Sequence, residues 1–191
     1  MRATGILLAV LALAAPAGAA SRHAEPCPAS VYGRTVAIDR QVRVLVDDAG
    51  IYRTCLRATG RITRLFEEDG QYSEGFVRRI AGPFVAWELG HSPECKNMCP
   101  EGVTGSYISR VTDARTGKVR RIAEGRPASL LLRPSGNVAW VIGGAPDARL
   151  WTWAAAGTRR LADSGAITDV AIAGDKLTWR NGDTPRSTAF G

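Results

Sequence analysis

One phrase recurs along the chain, and this repetition constrains the fold more than any other feature. The letters IAGPFVAW (80–87) return as IAGDKLTW (172–179), with Ile-Ala-Gly and Trp at the same offsets. A looser copy, LRPSGNVAWVIGG, spans 132–144. Repetition at a period of a few tens of residues is typical of folds that stack one supersecondary unit several times. The sequence therefore predicts a repeat architecture.

The copies carry Trp87, Trp140 and Trp179, which we expect to occupy equivalent strands. A fourth copy without tryptophan is predicted at 36–48, about one repeat before the first. About four such units are therefore predicted, and the longer separation, from Trp87 to Trp140, contains an extra loop at 95–107. Each copy is followed by a second alternating phrase, at 52–65, 107–123, 150–162 and, in shortened form, 186–190.

Short hairpins are predicted within these units. The turn sequences ATGR, RTGK and AAGT place Gly60, Gly117 and Gly157 between alternating strands. Glycine adopts positive φ without steric cost, so we expect positive φ at all three. No window of eleven or more residues after position 20 has apolar residues at helical spacing. The sequence therefore predicts an all-β fold.

Such units predict a β-propeller-like array of about four short antiparallel blades. Each repeated tryptophan is expected to fill the wedge between one blade and the next, because a twisted sheet cannot bury its faces alone. Three alternatives stay open. The termini could close a ring by sharing one blade, an open partial propeller could complete itself against another chain, or the strands could form a β-sandwich.

Residues 1–20 are predicted to be a secretory signal peptide. A short basic start precedes an uninterrupted apolar run at 6–15 and then the small residues AGAAS. The run is too short for a permanent anchor, and Cys27 is not placed for lipidation. We expect 21–31 to form an N-terminal arm and 32–191 to form a single domain of an exported, extracellular protein without a membrane span.

The four cysteines are even in number, and an exported chain meets an oxidising compartment, so two disulfides are predicted. Cys95 and Cys99 in CKNMC would close a small loop. Cys27 and Cys55 would then pin the N-terminal arm onto the first pair of strands. Three connectivities are possible for four cysteines, and we favour this one.

A metal site is the competing interpretation of the second cysteine pair. His91, Cys95, Met98 and Cys99 lie within nine positions and offer ligands that suit copper or zinc. Oxidation to a disulfide would remove both thiolates, and the prolines around the segment exclude a regular helix. We predict no metal and no cofactor.

The basic composition does not indicate nucleic-acid binding. The chain has 25 Lys and Arg against 18 Asp and Glu, a formal net charge of +7 at pH 7. A nucleic-acid reader clusters its charge with aromatic residues on one face, whereas these arginines are scattered over every segment. We therefore predict no nucleic-acid partner.

The phrases CLRATGRITRL, VTDARTGKVRRI, GNVAW and GDKLTWRNGD resemble the exported, mostly uncharacterised β-propeller-like proteins of high-GC Gram-positive bacteria. These are distantly similar to TolB-type and WD-type repeats. The resemblance covers roughly 31–190, and the chain departs from the WD type because it lacks the Gly-His and Trp-Asp dipeptides. It implies a propeller fold and a tendency to bind partners. It carries over no catalytic residue.

Catalytic residues are not evident in the sequence. Apart from His91, the chain has one histidine, His23 in the N-terminal arm, and neither lies in a recognisable catalytic phrase. Glu88 follows Trp87 and is expected on the opposite face, in a solvated or rim position. A carbohydrate-active enzyme of propeller fold stays the alternative, with paired carboxylates in a central funnel. Its candidate carboxylates are Glu67, Glu68, Asp69, Glu88 and Glu94.

The best candidates for ligand binding are Trp151 and Trp153 in RLWTWA. Residues two apart project from the same face of a strand, so the pair could form an aromatic platform for a sugar ring or a partner protein. Packing between blades is the other interpretation. We expect a non-catalytic binding module that is a monomer rather than a dimer and whose partner is an unknown protein or glycan. The Cys95–Cys99 insertion is its candidate specificity loop.

Overall fold

The computed structural model of the chain describes residues 26–68, 73–91 and 106–191. Strands dominate these ranges, and they contain one helix of four residues, α1 (Ala29–Tyr32). The strands are β1 (Arg34–Ile38), β2 (Val42–Val46), β3 (Ile51–Leu56), β4 (Arg61–Glu67), β5 (Ser73–Ala81), β6 (Phe84–His91), β7 (Ser106–Asp113), β8 (Val119–Glu124), β9 (Ser129–Leu132), β10 (Val138–Ile142), β11 (Ala148–Trp153), β12 (Arg159–Gly165), β13 (Ile167–Ala173), β14 (Lys176–Asn181) and β15 (Thr184–Ala189).

The strands form four antiparallel sheets in chain order. The first sheet contains β1 to β4, the second β5 to β8, the third β9 to β12 and the fourth β13 to β15, and each is a simple meander. The all-β class and the four repeated units predicted from the sequence are therefore confirmed. The copy without tryptophan, at 36–48, supplies most of β1 and β2 of the first sheet.

Three apolar clusters join the sheets face to face. The first cluster packs Val44 and Phe66 of the first sheet against Trp87 of the second. The second cluster joins the second and third sheets, and the third cluster joins the third and fourth sheets. The four sheets therefore stack in a series, each packed on the next.

The middle sheets bury both faces because alternate residues of their second strands point in opposite directions. On β6, Val85 and Trp87 face the first sheet, while Phe84 and Ala86 face the third. A strand that is buried on both sides needs apolar residues at consecutive positions. The unbroken apolar run FVAW satisfies this requirement.

The first strands of the sheets lie along the inner side of the array. β1 contacts β5, β5 contacts β9, and β9 contacts β13. This arrangement is propeller-like, but within the described residues no apolar cluster joins the first sheet to the fourth. The array is therefore open. Of the three alternatives, the one in which the termini share a blade does not hold, because β1 pairs only within the first sheet and β15 only within the fourth.

The N-terminal segment covers the outer face of the first sheet. A disulfide joins Cys27 to Cys55 on β3, as the sequence predicted. Both sulfurs are buried with Leu45, and Tyr32 of α1 packs against them. Arg43 adds a hydrogen bond of 2.9 Å from its Nη1 to the carbonyl oxygen of Cys27.

The hairpin turns agree with the sequence at two of three positions. Gly60 and Gly117 have φ of 71° and 77°, a region that glycine enters freely. Gly157 does not have positive φ, so that prediction is wrong. Its turn is closed instead by the Gly157 N–H, which donates to the carbonyl of Ala154 at 3.0 Å.

Several predictions lie outside the described residues. These are the signal peptide at 1–20, the arm up to residue 25, and the pairing of Cys95 with Cys99. The described part of the chain contains no helix that is long and apolar enough to cross a membrane.

Candidate functional site

The three repeated tryptophans lie on the second strand of the second, third and fourth sheets. Trp87 and Trp140 are each 1% exposed and Trp179 is 6% exposed. Each ring packs into the cluster shared with the preceding sheet. Burial of the large rings between sheets places these three residues in the core, so the ligand site has to be sought elsewhere.

Two of these rings also donate hydrogen bonds, one buried and one half-buried. The indole N–H of Trp87 donates to Oγ1 of Thr112 at 2.9 Å, and that of Trp179 donates to Oδ2 of Asp163 at 2.7 Å. Burial acts to raise the pKa of Asp163, but hydrogen bonds from Trp179, from the backbone and from Asn181 outweigh it and lower that pKa. Asp163 therefore ties the third sheet to the fourth as a carboxylate.

Trp151 and Trp153 lie on the face of β11 that is turned toward the second sheet, where both are half-buried. Arg149 precedes them on the same face, because side chains alternate along the strand. A groove of about 400 Å³ lies beside this face. It is lined by Arg121, Ile122, Ala123, Glu124, Trp140, Ile142, Arg149, Trp151 and Arg159. We call this space the Trp151 groove.

Aromatic and guanidinium groups stack in the Trp151 groove. The rings of Trp140 and Trp151 have centroids 6.5 Å apart and planes inclined by 16°. The guanidinium of Arg159 lies 4.0 Å from the Trp151 centroid and 5.7 Å from that of Trp140. This geometry is a cation–π contact. The stacked face of Trp151 is thus a support for a cation and is not bare.

Trp153 is also held by a cation–π contact, but it does not line the Trp151 groove. Its indole N–H donates to the carbonyl of Gly157 at 2.8 Å, and the guanidinium of Arg120 lies 5.5 Å from its ring centroid. Arg120 also donates hydrogen bonds to the carbonyls of Gly136 and Ala154, and its burial lowers its pKa. Arg120 therefore ties the second sheet to the third.

The charges of the Trp151 groove are unevenly matched. Arg121 forms an ion pair of 3.1 Å with Oε1 of Glu124. Within the described residues, the guanidinium groups of Arg149 and Arg159 have no hydrogen-bond acceptor and no ion pair, and Oε2 of Glu124 has no donor. The groove consequently presents two guanidinium groups and one carboxylate oxygen that are free to bind a ligand.

Glu88 is a buried carboxylate, which corrects the solvated or rim position predicted for it. It is fully buried, with Arg78 at 3.2 Å and Arg126 at 3.4 Å from its oxygens. The rings of Phe76 and Tyr107 hold Arg126 by cation–π contacts. Burial raises the pKa of Glu88, and the two arginines oppose this change. The prediction failed because the face of β6 opposite Trp87 is covered as well.

The other candidate carboxylates have separate partners. Glu67 pairs with Arg64 on the first sheet, and Oε1 of Glu68 accepts the Gly75 N–H at 2.7 Å. Asp69, Glu94 and the His91–Cys99 ligand set fall wholly or partly outside the described residues. In the part that is described, no three metal-ligating side chains come together. The described carboxylates are thus not gathered into one acid/base pair.

The sequence pattern indicates Trp151 and Trp153 as candidates but not the arginines around them. The alternation of Arg149 with the two tryptophans was a usable signal, since residues 149, 151 and 153 share one face. Arg159 was not accessible to such reasoning. It stands directly opposite Trp153 in the strand register yet stacks on Trp151, its diagonal neighbour.

Neither the protein-family models nor the curated proteins that were compared with this chain give a match.

Proposed function

We propose that this protein is an exported, non-catalytic binding module whose ligand site is the Trp151 groove. The observation that carries the proposal is the guanidinium of Arg159, stacked on Trp151 in an open groove with no protein acceptor in the described chain. Groups held rigidly by stacking and left without a partner are suited to bind a ligand, because little conformational freedom is lost on binding.

The contrast among the tryptophans supports this site. Trp87, Trp140 and Trp179 are buried in closely packed clusters, whereas Trp151 is only half-buried. A groove of about 400 Å³ is within the size range of small-ligand pockets. The space beside Trp151 can therefore hold a ligand.

Export is supported by two independent features. The apolar run and small residues at the N-terminus have the form of a signal peptide. The Cys27–Cys55 disulfide is typical of proteins that mature in an oxidising compartment. The resemblance to exported propeller-like proteins also predicts export.

A binding role is favoured over catalysis by the chemistry of the groove. Its ionisable groups are arginines and the exposed Glu124, and arginine stays protonated at physiological pH. Acid/base catalysis needs a group that titrates near the working pH. The groove residues are instead suited to bind a ligand of complementary charge and shape.

The test is a binding survey with immobilised neutral, acidic and amino oligosaccharides and with acidic and basic peptides. The native chain, purified without reductant, is compared with Trp151→Ala and with a control, Arg64→Gln, on the first sheet. We expect at least one probe to be retained by the native chain and the control but lost by Trp151→Ala. Retention of every bound probe by Trp151→Ala, or binding of none by the native chain, would contradict the proposal.

A further inference from the structure

The charge pattern of the Trp151 groove indicates the kind of ligand it takes. Arg149 and Arg159 come from neighbouring strands, β11 and β12, and both line the groove. Each guanidinium has five N–H donors in a fixed plane, a geometry that matches the two oxygens of a carboxylate or sulfate. Neither guanidinium donates a hydrogen bond to a described residue. The unused N–H donors of the groove are therefore suited to bind an oxyanion.

Glu124 limits which oxyanion-bearing ligands fit. Its Oε1 is engaged by Arg121, while Oε2 remains an acceptor on the groove wall. A carboxylate oxygen repels a second anion placed beside it but accepts hydrogen bonds from hydroxyl groups. A suitable ligand thus carries its anion toward Arg149 and Arg159, and hydroxyl groups toward Glu124.

The apolar part of the wall completes the description. Ile122, Ile142 and the rims of Trp140 and Trp151 border the same groove. The C–H surface of a sugar ring is apolar, while its edges carry hydroxyl groups, so one ring can satisfy both kinds of wall.

We propose that the Trp151 groove binds an acidic saccharide, with the acid group held by Arg149 and Arg159 and a ring hydroxyl held by Glu124. This inference rests on the proposed function and specifies its ligand. A nucleic acid is disfavoured because bases need a bare aromatic face, and Arg159 occupies the stacked face of Trp151. An acidic peptide fits less well because its repeated carboxylates place further anions beside Glu124, and its only uncharged donors there are backbone N–H groups.

The experiment titrates the native chain by calorimetry with trigalacturonic acid and with its trimethyl ester, in which each carboxylate is esterified. The ester keeps the rings and hydroxyls and removes only the charge. We expect the acid to bind at least tenfold more tightly than the ester, and Arg149→Gln to weaken the acid about tenfold, since a lost charge-assisted contact costs about that factor. Arg64→Gln, an exposed arginine of the first sheet, should leave binding unchanged.

Further probes distinguish failure of the acidic-saccharide proposal from failure of the groove as a binding site. A heparin-derived trisaccharide that binds in the same way, and is weakened by Arg149→Gln, assigns the oxyanion as sulfate and still supports an acidic saccharide. Equal binding of acid and ester, lost in Trp151→Ala, would overturn the acidic class while the groove stays a binding site. Binding of neither saccharide, or stronger binding of a poly-glutamate peptide or a single-stranded oligonucleotide, would overturn the inference.

Discussion

The outer face of the first sheet and the outer face of the fourth sheet are equivalent ends of one array, yet they differ in chemistry. On the first sheet, Leu45 and Cys55 face outward and are fully buried beneath the segment that contains Cys27. On the fourth sheet, Thr178 and Arg180 face outward, Thr178 half-buried and Arg180 exposed, and no apolar cluster of the described chain includes either of them. One end is apolar and capped, and the other is polar and open.

This difference explains how four sheets can stack without forming a ring. A stack of repeated units always leaves two end faces, and stability requires that each be covered or made polar. A closed ring would pack the outer face of the fourth sheet against the first sheet. Polar side chains such as Thr178 would then lose water without gaining partners. The first sheet therefore has its outer face covered by the N-terminal segment, whereas the fourth sheet has a polar outer face.

The largest expected effect comes from removing the covalent tie of the capped end. The double variant Cys27→Ala, Cys55→Ala should lose about 3.5 kcal/mol of unfolding free energy, because the disulfide closes a loop of 28 residues that constrains the unfolded chain. Urea denaturation of both proteins measures this loss. Unchanged stability would mean that the cap does not depend on its disulfide.

Removal of the apolar contact under the cap should have the next largest effect. Leu45→Ala should cost about 2–5 kcal/mol, since Leu45 is fully buried among Cys27 and Cys55. Thr178→Ala, at the opposite end, serves as the matched control and should stay within about 0.5 kcal/mol of the native chain. Comparable losses at both ends in thermal unfolding would contradict the asymmetry.

An intermediate effect is expected where the fourth sheet is held to the third. Asp163→Ala leaves the indole N–H of Trp179 without its acceptor and should cost about 1–3 kcal/mol. The lowered pKa of Asp163 also predicts a pH dependence. The stabilisation is present above the ordinary carboxyl pKa and is lost as the pH falls through the lowered pKa of the folded protein.

Asp163→Ala should therefore lose less stability than the native chain as the pH falls from above the ordinary carboxyl pKa through the lowered pKa of Asp163. Denaturation midpoints measured at a series of pH values test this difference. Identical acid sensitivity of the two proteins would show that Asp163 is not a carboxylate that holds the fourth sheet.

The smallest effect is expected for charge added to the open end. Thr178→Lys should change stability by no more than about 0.5 kcal/mol, because position 178 lies on the outer face of β14 and no apolar cluster of the described chain includes it. Soluble yield and circular dichroism, compared with those of the native chain, measure this effect. Failure of Thr178→Lys to fold would place the outer face of the fourth sheet in contact with another part of the array.

Local patterns in the sequence predicted the sheets well but not the way in which they end. The apolar runs around Trp87 and Trp140 and the glycine turns specify short buried strands. Each of these strands and turns is determined by residues that are close together in the sequence. The openness of the array depends on whether residues near Leu45 meet residues near Thr178, and no local pattern carries that contact.

The candidate site was predictable to a similar extent. The spacing of Trp151 and Trp153 placed them on one face, and this is what the structure has. The stacking of Arg159 on Trp151 depends on the pairing of two strands and on a shift in their register between Leu150 and Trp151. Burial of Glu88 depends on Arg78 and Arg126, which approach from other strands. Such contacts follow from strand pairing and not from spacing.

Thiol labelling measures whether the array is open at the fourth sheet. Thr178→Cys and Val141→Cys are near-isosteric changes, one on the open face and one buried between the third and fourth sheets. Each native protein is treated with a maleimide, and mass spectrometry counts the label added beyond that of the unsubstituted chain. The open array predicts rapid labelling at position 178 and protection at position 141. Equal protection at both positions would mean that the ring is closed.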